Sequence, residues 1–552
     1  MERFCNREKE VGRIMRNKAQ RVQQSISLGK KLIFGAPLFA FICAASVPAQ
    51  GAPAMGTTEI IWPTQQWQTS SPEEQGMDSK ELGDLVAFGA ERILATPGTT
   101  LTCRLDSLLV VRHGKIVLEA YYAPYSAGIL HTANSVTKAV VGTLVAIASN
   151  DGLLDNLNHR VIDFFDRRSM AKVDSRKEAI TVQNLLDMTS GLEWSEPLTE
   201  PRPLSMIEME RSSDWVKFIL DRPMSSAPGE TFNYNSGNPH LLSAILTKLA
   251  GTNTLEYAKA KLFGPLGINK VYWWRDPQGN FTGGFGLWLQ PRDMAKIGYL
   301  YLRNGKWEGK QLLPATWIDK VNHATIDMHQ AGLKYSNLFW ALPDKHVYMA
   351  VGFNGQVIMV FPDLDIVAVT TARARLPLAK LADYISSSVK SGTALPPDQA
   401  STKLLANEIL DVSTEKPTEV GPQSKLASSI SGKVYRFAPN DLKVKSVSLV
   451  LTDPHPHYNV EAYSGDRTKS DQRFAGPIGL DGLYRKGAPT EDGVDAVKGS
   501  WQDENTFILD RLALGQGRPA ERWTLKFNGA KLSFSAENEK GSEISVDGKT
   551  GG

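Results

Sequence analysis

A serine and a lysine three residues apart, Ser135 and Lys138, open a long apolar run of the sequence. Residues at this spacing share one face of a helix, so the lysine amine can reach the serine Oγ. A serine hydroxyl is a weak nucleophile until a base takes its proton, and a lysine whose pKa is lowered by burial can be that base. A helix N-terminus also supplies a backbone N–H where an oxyanion would form. The pair therefore suggests nucleophilic catalysis.

The same spacing occurs at four other places, so it is weak as a signal by itself. These places are Ser27/Lys30, Ser169/Lys172, Ser387/Lys390 and Ser413/Lys416. The alternative for Ser135 is a helix N-cap followed by a solvated lysine. The spacing alone leaves both interpretations open.

Two further segments carry polar side chains next to predicted helices or strands. Tyr234 and Ser236 lie two residues apart, before the apolar run 241–246. Downstream, the glycine-rich segment 352–356 precedes the strand-like run 357–361. Individually, these segments indicate a loop before a helix and a turn before a strand.

In this order, the three segments resemble the penicillin-recognising serine hydrolases. This family includes class C β-lactamases, D-Ala-D-Ala peptidases, esterases and 6-aminohexanoate-dimer hydrolases. The resemblance covers roughly Thr69 to Thr371. It includes the stretches Asp187–Trp194, Phe263–Ile268 and Gly284–Gly298.

The resemblance implies a role for each matching residue. Ser135 would be the nucleophile and Lys138 its general base, while Tyr234 would exchange protons with Lys138 and the leaving group. The phenol of Tyr234 would ionise more easily beside the lysine cation. The oxyanion hole would consist of the backbone N–H groups of Ser135 and Gln356. The resemblance thus implies an acyl-enzyme mechanism with no cofactor and no metal.

Two positions depart from the family pattern. Ser236 stands where an asparagine usually orients a substrate carbonyl, and Phe353 stands where a lysine or histidine usually helps to hold a substrate carboxylate. With Asn354 and Gly355, these are the predicted substrate-binding residues. The departures disfavour efficient β-lactamase or carboxypeptidase activity. Esters, neutral amides and amides bound in another way remain possible substrates.

Two literal matches to the family motifs lie elsewhere. Tyr335-Ser336-Asn337 spells the second motif, but it runs into the aromatic segment 338–340, so we interpret it as a strand lining the site. Lys549-Thr550-Gly551 spells the third motif at the extreme C-terminus, and we interpret it as a tail.

The strands and helices predicted around these residues indicate an α+β fold. Residues 107–122 read as two strands joined by a turn at His113-Gly114, and residues 135–150 read as a helix. A second cluster of strands spans 347–371. We expect one antiparallel sheet built from both ends of a domain, with a helical part between: the β-lactamase/transpeptidase-like fold.

The predicted boundaries place this hydrolase domain at 78–392. It is followed by a linker at 393–424, rich in Pro, Ser, Thr and charged residues and containing one short helix. Residues 425–552 show short strand-like runs and few helical signals, which predict a small C-terminal all-β domain, either a barrel or a sandwich.

The N-terminus has the order of charge and hydrophobicity of a secretory signal peptide. Residues 1–31 hold nine basic residues against three acidic ones, and the uncharged apolar run 32–47 and several small residues follow. We predict a signal peptide at 1–52 and a lead-in segment at 53–77. The run is short for a membrane span. The predicted location is periplasmic or secreted, with anchoring by an uncleaved leader as the alternative.

The composition and net charge of the chain limit the kinds of partner that it is expected to bind. The chain has 552 residues, a net charge of +3 and 22% charged residues, which is an ordinary globular composition. The basic excess lies in the leader, so we predict no nucleic-acid partner and no stable membrane insertion after cleavage. The predicted function is an exported serine hydrolase of a small-molecule or oligomeric ester or amide substrate. The alternative is a non-catalytic member that binds peptidoglycan or a peptide.

Overall fold

A computed structural model describes residues 60, 62–90, 105–199, 203–330, 332–463, 471–490, 493–518, 520–537 and 543–550. The predicted signal peptide at 1–52 lies outside the described residues. Residues from Ile60 onward form one compact unit.

Twenty-four strands run through the described residues. They are β1 Gln68–Thr69, β2 Leu105–Arg112, β3 Lys115–Tyr121, β4 His131–Thr132, β5 Tyr272–Trp273, β6 Leu287–Leu289, β7 Lys306–Trp307, β8 Lys310–Gln311, β9 Ile326–Asp327, β10 Lys334–Ser336, β11 Phe339–Leu342, β12 Val347–Gly352, β13 Gln356–Phe361, β14 Ile366–Ala372, β15 Val434–Phe437, β16 Val444–Val450, β17 His457–Ala462, β18 Gln472–Pro477, β19 Arg485–Lys486, β20 Val494–Trp501, β21 Thr506–Leu514, β22 Glu521–Asn528, β23 Lys531–Glu537 and β24 Glu543–Thr550.

Thirteen α-helices accompany these strands in the described ranges. They are α1 Ser79–Ala90, α2 Val136–Asn150, α3 Ser175–Glu178, α4 Val182–Leu186, α5 Leu204–Arg211, α6 Trp215–Leu220, α7 Gly237–Ala250, α8 Thr254–Ala258, α9 Pro291–Leu302, α10 Ala315–Asn322, α11 Leu378–Ser387, α12 Gln399–Ser413 and α13 Leu426–Ile430.

The larger N-terminal sheet has nine strands in the order β1-β3-β2-β14-β13-β12-β11-β10-β9. The early strand β2 pairs antiparallel with the late strand β14, with Arg112 opposite Ile366 and Ser107 opposite Thr371. The prediction of one sheet built from both ends of the domain is therefore confirmed. The lead-in segment adds an edge strand, β1, which pairs parallel to β3.

Strand β2 is buried along its whole length, and its middle, residues 108–111, is continuously apolar instead of alternating. Helices α1 and α9 both contact β2. On α9, Gly298 lets the helix approach closely, because a Cβ there would lie 2.6 Å from a methyl group of Val367. The sheet is thus a rigid support for the residues at its ends.

Helix α2 forms the centre of the helical part. It begins one residue after Ser135, and every residue from Val136 to Ala148 is buried. The helix packs against α7 and against strands β12 and β13. Burial on all sides fixes the direction in which Ser135 and Lys138 point.

The segment predicted as a linker contains the fifteen-residue helix α12, longer than the short helix we expected. Its side chains Leu405 and Val412 are part of the hydrophobic core of the N-terminal sheet. Helix α12 packs against α1 and β3, so this part of the segment is an element of the hydrolase fold.

The C-terminal residues form a ten-stranded antiparallel sheet in the order β18-β17-β16-β15-β24-β23-β22-β21-β20-β19. Its core includes Tyr458, Phe507, Trp523 and Phe534. Strand β22 alternates buried and less buried residues, as expected for a sheet with one covered face. Strand β18 also contacts β20 across the open edge, so the sheet is nearly closed into a barrel. The predicted all-β class is confirmed.

No helix within the described ranges is both long enough and apolar enough to cross a membrane.

Candidate active site

Ser135 and Lys138 lie together at the start of α2. Lys138 Nζ is 2.8 Å from Ser135 Oγ. The Ser135 hydroxyl makes no capping hydrogen bond to the described backbone of its helix. Lys138 is 1% exposed. This geometry differs from the alternative of an N-cap serine with a solvated lysine.

The Lys138 ammonium is held by a second acceptor, the backbone oxygen of Gly284, at 2.8 Å. Burial lowers the pKa of Lys138 from its ordinary value of 10.5 to about 8, while the negative charge of Glu196 raises it. Removal from water disfavours the charged form of an amine. Lys138 can therefore become a neutral base near pH 8.

The segment that carries Gly284 is positioned by a buried histidine. The N–H of Gly283 donates to Nδ1 of His240, 3.4 Å away. The other ring nitrogen, Nε2, then carries the proton and lies 3.1 Å from Oδ2 of Asp276. Asp276 fixes the ring and its tautomer, and the ring fixes the backbone on which Lys138 rests.

Tyr234 completes the cluster. Its hydroxyl is hydrogen-bonded to Ser135, and Lys138 Nζ lies 4.8 Å from the centre of its ring. The expectation that this phenol ionises more easily is wrong. Burial raises the pKa of Tyr234 above its ordinary value, and the charge of Glu196 raises it further. Desolvation outweighs the hydrogen bond with Ser135, so Tyr234 stays a neutral phenol and a proton donor.

Glu196, which the sequence analysis did not single out, holds the Tyr234 loop. Its Oε1 accepts a hydrogen bond from the Ser236 hydroxyl at 2.6 Å, and its Oε2 accepts one from the Ser236 N–H at 2.7 Å. Oε2 also accepts from Trp194 Nε1 at 2.7 Å. The Ser236 hydroxyl is therefore bound to a carboxylate of the protein. Its role as a substrate ligand stays a prediction.

The third segment is the turn between β12 and β13. Gly352 pairs with Gln356, and Asn354 and Gly355 both have positive φ angles, +57° and +84°. At Gly355 a side chain would also collide with Ala372, since a Cβ would lie 2.8 Å from the alanine Cβ. Glycine is needed here for both reasons.

The turn is attached to the segment before the nucleophile. Asn134 Nδ2 donates to the backbone oxygen of Phe353 at 2.8 Å. Gln356 is fully buried, and its side-chain Nε2 donates to the backbone oxygen of Ala372 at 2.6 Å. Because Asn134 directly precedes Ser135, this contact links the two chain segments from which the predicted oxyanion-hole donors come. The oxyanion hole itself stays a prediction.

Phe353 has an arginine beside it. The Arg375 guanidinium carbon lies 5.9 Å from the centre of the Phe353 ring, and Arg375 is exposed. A cation is thus near the turn, although position 353 itself is aromatic. No family motif in the sequence pointed to Arg375.

The two literal motif matches lie in different places. Tyr335 is buried in β10, where its ring centre lies 5.2 Å from that of Phe232. Lys549 and Thr550 belong to β24, paired with β15 of the C-terminal sheet. Burial raises the pKa of Tyr335, which lies near enough to Tyr234 and Glu196 for their charges to raise it further, whereas Lys549 and Thr550 are strand residues of the other sheet.

Sequence reasoning missed Glu196, Gly284 and His240. The acidic residue near Trp194 lay just beyond the segment that carried the family resemblance, and extending that segment by two residues would have included it. A backbone carbonyl and a buried histidine have no sequence pattern of their own. Across the described residues, no group of three or more His, Cys, Asp or Glu side chains is placed to hold a metal ion.

Comparisons with known proteins identify the family to which the chain belongs. The beta-lactamase family model matches residues 96–384, over half of the chain. A 6-aminohexanoate-dimer hydrolase of Paenarthrobacter ureafaciens is 23% identical over 292 residues, which are 49% of this chain and 72% of that protein.

Solved structures similar to the chain include a penicillin-binding protein homologue and a hydrolase. An octameric penicillin-binding protein homologue from Pyrococcus abyssi has 16% identity and a TM-score of 0.43, with 82% of this chain and 97% of that chain covered. EstCE1, a hydrolase with promiscuous acyltransferase activity, has 17% identity and a TM-score of 0.45, with 61% and 99% covered. The chain belongs to the beta-lactamase family of penicillin-recognising serine hydrolases.

Proposed function

We propose that this protein is an exported serine hydrolase that cleaves an ester or amide through an acyl-enzyme on Ser135. The observation that carries the proposal is the buried amine of Lys138, 2.8 Å from Ser135 Oγ, with a pKa lowered to about 8. A base with a pKa near the working pH combines a useful neutral fraction with a sufficient affinity for the proton.

Acylation follows from the positions of three side chains. Neutral Lys138 takes the proton of the Ser135 hydroxyl as Oγ attacks the substrate carbonyl. The oxyanion that forms is held by the N–H groups of Ser135 and Gln356. Tyr234, a neutral phenol, gives its proton to the leaving alcohol or amine and is reprotonated by Lys138.

Deacylation reverses the proton movements. A water molecule attacks the acyl carbonyl, and neutral Lys138 accepts its proton, either directly or through the Tyr234 hydroxyl, which passes one proton on as it takes up another. The carbonyl–Oγ bond breaks, and the proton returns to Oγ as the acid leaves. The whole cycle consumes one water and restores the Ser135 hydroxyl.

The side chain at position 353 and the charge of Glu196 favour esters and amides over penicillins, although the exposed Arg375 lies beside Phe353. The aromatic Phe353 replaces the residue that usually helps to hold a substrate carboxylate, and the carboxylate of Glu196 lies close enough to raise the pKa values of Lys138 and Tyr234. A negative charge here repels an anionic substrate group. The name of the relative from Paenarthrobacter, a 6-aminohexanoate-dimer hydrolase, supports an oligomeric substrate.

The test uses two serines with the same spacing to a lysine. Ser135→Ala removes the proposed nucleophile, while Ser387→Ala is the matched control, because Ser387 lies exposed at the end of α11 and three residues before Lys390. We expect a fluorophosphonate probe to label the wild type and Ser387→Ala, but not Ser135→Ala. Turnover of p-nitrophenyl acetate and butyrate should follow the same order.

Two results would overturn parts of the proposal. Absence of labelling and turnover that depend on Ser135 would refute the enzyme and favour the non-catalytic binding member. Rapid hydrolysis of a chromogenic cephalosporin would refute the preference for esters and amides.

The export part of the proposal rests on residues 1–52. Expression of the full chain in a Gram-negative host should give a periplasmic protein whose N-terminal sequence starts near residue 53. Recovery of the full-length chain from the cytoplasm would contradict export.

A further inference from the structure

We propose that residues 515–518, the connection between β21 and β22, form a wall of the active site and position the oxyanion hole. The C-terminal sheet then contributes directly to the active site of the hydrolase. This inference rests on the proposed function, since it concerns the same site. Its basis is a set of contacts between this connection and the residues on either side of the oxyanion hole.

Two hydrogen bonds join the connection to the site. The N–H of Thr132 donates to the backbone oxygen of Gly515 at 2.6 Å. The side-chain amide of Asn354 donates to the backbone oxygen of Gly517 at 2.9 Å. Thr132 lies three residues before the nucleophile, and Asn354 lies two residues before Gln356. Each segment that supplies an oxyanion-hole N–H is thus bound to the same short connection.

Gly517 fits directly against both segments. A Cβ on Gly517 would lie 3.2 Å from Gln356 Nε2 and 3.5 Å from Asn134 Nδ2. Gly517 is buried, whereas the next residue, Arg518, is exposed. The backbone of the connection therefore fills the space beside the turn, and a side chain at 517 would press on it.

An apolar cluster of five buried residues fixes the connection to the hydrolase fold. The cluster combines Tyr125 and Ile129, which precede β4, with Ala496, Leu512 and Leu514 of the C-terminal sheet. The strands on which the connection is mounted are thus held next to the nucleophile segment by shared hydrophobic burial.

This arrangement matters because an oxyanion hole works by preorganised geometry. Donors that are displaced by a fraction of an ångström lose much of their effect on a developing charge. The two donors come from segments more than 200 residues apart, and the connection contacts both. Moving it should slow acylation without removing any group that reacts.

The experiment compares two glycines in turns of the C-terminal sheet that have nearly the same positive φ angle. Gly517 has φ +61° and Gly529, in the turn between β22 and β23, has φ +59°. Alanine carries the same left-handed strain at both. At Gly529, however, the added Cβ would meet no atom within 4 Å. Gly529→Ala is therefore the matched control for Gly517→Ala.

Three readouts are measured on the full chain, at a temperature at which both variants are folded: the labelling rate, kcat/KM and hydrogen exchange. For Gly517→Ala we expect the fluorophosphonate labelling rate and kcat/KM for p-nitrophenyl acetate to fall about tenfold or more, because an oxyanion-hole donor is displaced. For Gly529→Ala we expect both within twofold of wild type. Hydrogen exchange in peptides 131–138 and 352–361 should quicken only in Gly517→Ala.

A second variant removes the other partner of the hydrogen bond between Asn354 and Gly517. Asn354→Ala removes the donor to Gly517, and we expect faster exchange in residues 513–518 as well as in 352–361. Equal labelling and equal exchange in Gly517→Ala and Gly529→Ala would overturn the inference. If the wild type is never labelled on Ser135, the proposed function fails, while the exchange data still decide whether the connection positions these segments.

Discussion

Replacing Lys138 by methionine removes a buried amine while keeping an unbranched side chain of similar length. Lys138 is almost completely buried, and its pKa is lowered from 10.5 to about 8. The folded protein thus binds the proton of this amine less tightly than the unfolded chain does. Comparing the unfolding free energy of the variant with that of the wild type shows how much the buried charge destabilises the fold. Activity measurements on the same proteins show whether catalysis needs the amine.

The sign of the effect follows from proton linkage. Between pH 8 and pH 10.5 the unfolded state carries more protons on this lysine than the folded state, so raising the pH stabilises the wild type. Below pH 8 both states are protonated, and the cost of burying the charge is fully present. Above pH 10.5 both states are neutral and that cost is gone.

The size of the pKa shift of Lys138 sets how strongly the stability of the wild type depends on pH. One pKa unit corresponds to about 1.4 kcal/mol, so the stability of the wild type relative to Lys138→Met should rise by about 2–3 kcal/mol between pH 7 and pH 10. Methionine also leaves the Gly284 carbonyl without its donor, which costs about 1–3 kcal/mol at every pH. The stability difference between the two proteins at pH 7 is therefore the sum of two opposing contributions of similar size, whereas its change with pH depends on the pKa shift alone.

The assay is urea unfolding of both proteins at pH 7, 8, 9 and 10, with activity measured in parallel. Lys433→Met is the control, because Lys433 is exposed, and its stability should follow the wild type at every pH. Lys138→Met should lose turnover, and the kcat/KM of the wild type should rise with pH through an apparent pKa near 8. A stability difference that is constant from pH 7 to pH 10 would refute the reasoning.

Three further outcomes follow from other residues of the site and its surroundings. Glu196→Gln should move the acid limb of the kcat/KM profile to lower pH by a fraction of a unit, because the charge of Glu196 raises the pKa of Lys138; an unchanged limb would contradict this. Burial lowers the pKa of His131 from 6.5 to about 3, so the wild type should lose about 2 kcal/mol of unfolding free energy between pH 7 and pH 5, where only the unfolded chain takes up the proton. His131→Asn should not show this loss in urea unfolding, and an equal loss in both proteins would contradict the prediction. Asp276→Ala should cost about 3 kcal/mol of unfolding free energy, because it breaks the buried contact with His240, and should slow fluorophosphonate labelling; a change below about 0.5 kcal/mol would show that the contact is not structural.

Much of the fold could be predicted locally. The turn at His113-Gly114 joins two strands in the structure as expected, since apolar runs on either side of a glycine-containing turn encode a hairpin. The helix after Ser135 was also predicted, because apolar residues between Val136 and Val145 recur at helical spacing. Helix α12 was underestimated although seven of its fifteen residues are apolar, because the Pro, Ser, Thr and charged residues around it indicated a linker. Its packing on α1 depends on a surface that the segment itself does not reveal.

The sequence by itself determined which residues could react and in what order they occur. A serine, a lysine and a tyrosine at the positions of the family motifs have functional groups that do not depend on the fold. Tertiary structure decided how these groups behave. The phenol of Tyr234 is harder to ionise because it is buried beside Glu196, which is far from it along the chain. The contact of Asn354 with Gly517 joins residues 163 positions apart. Desolvation and long-range contacts depend on everything that surrounds a group in space, and no local pattern encodes that.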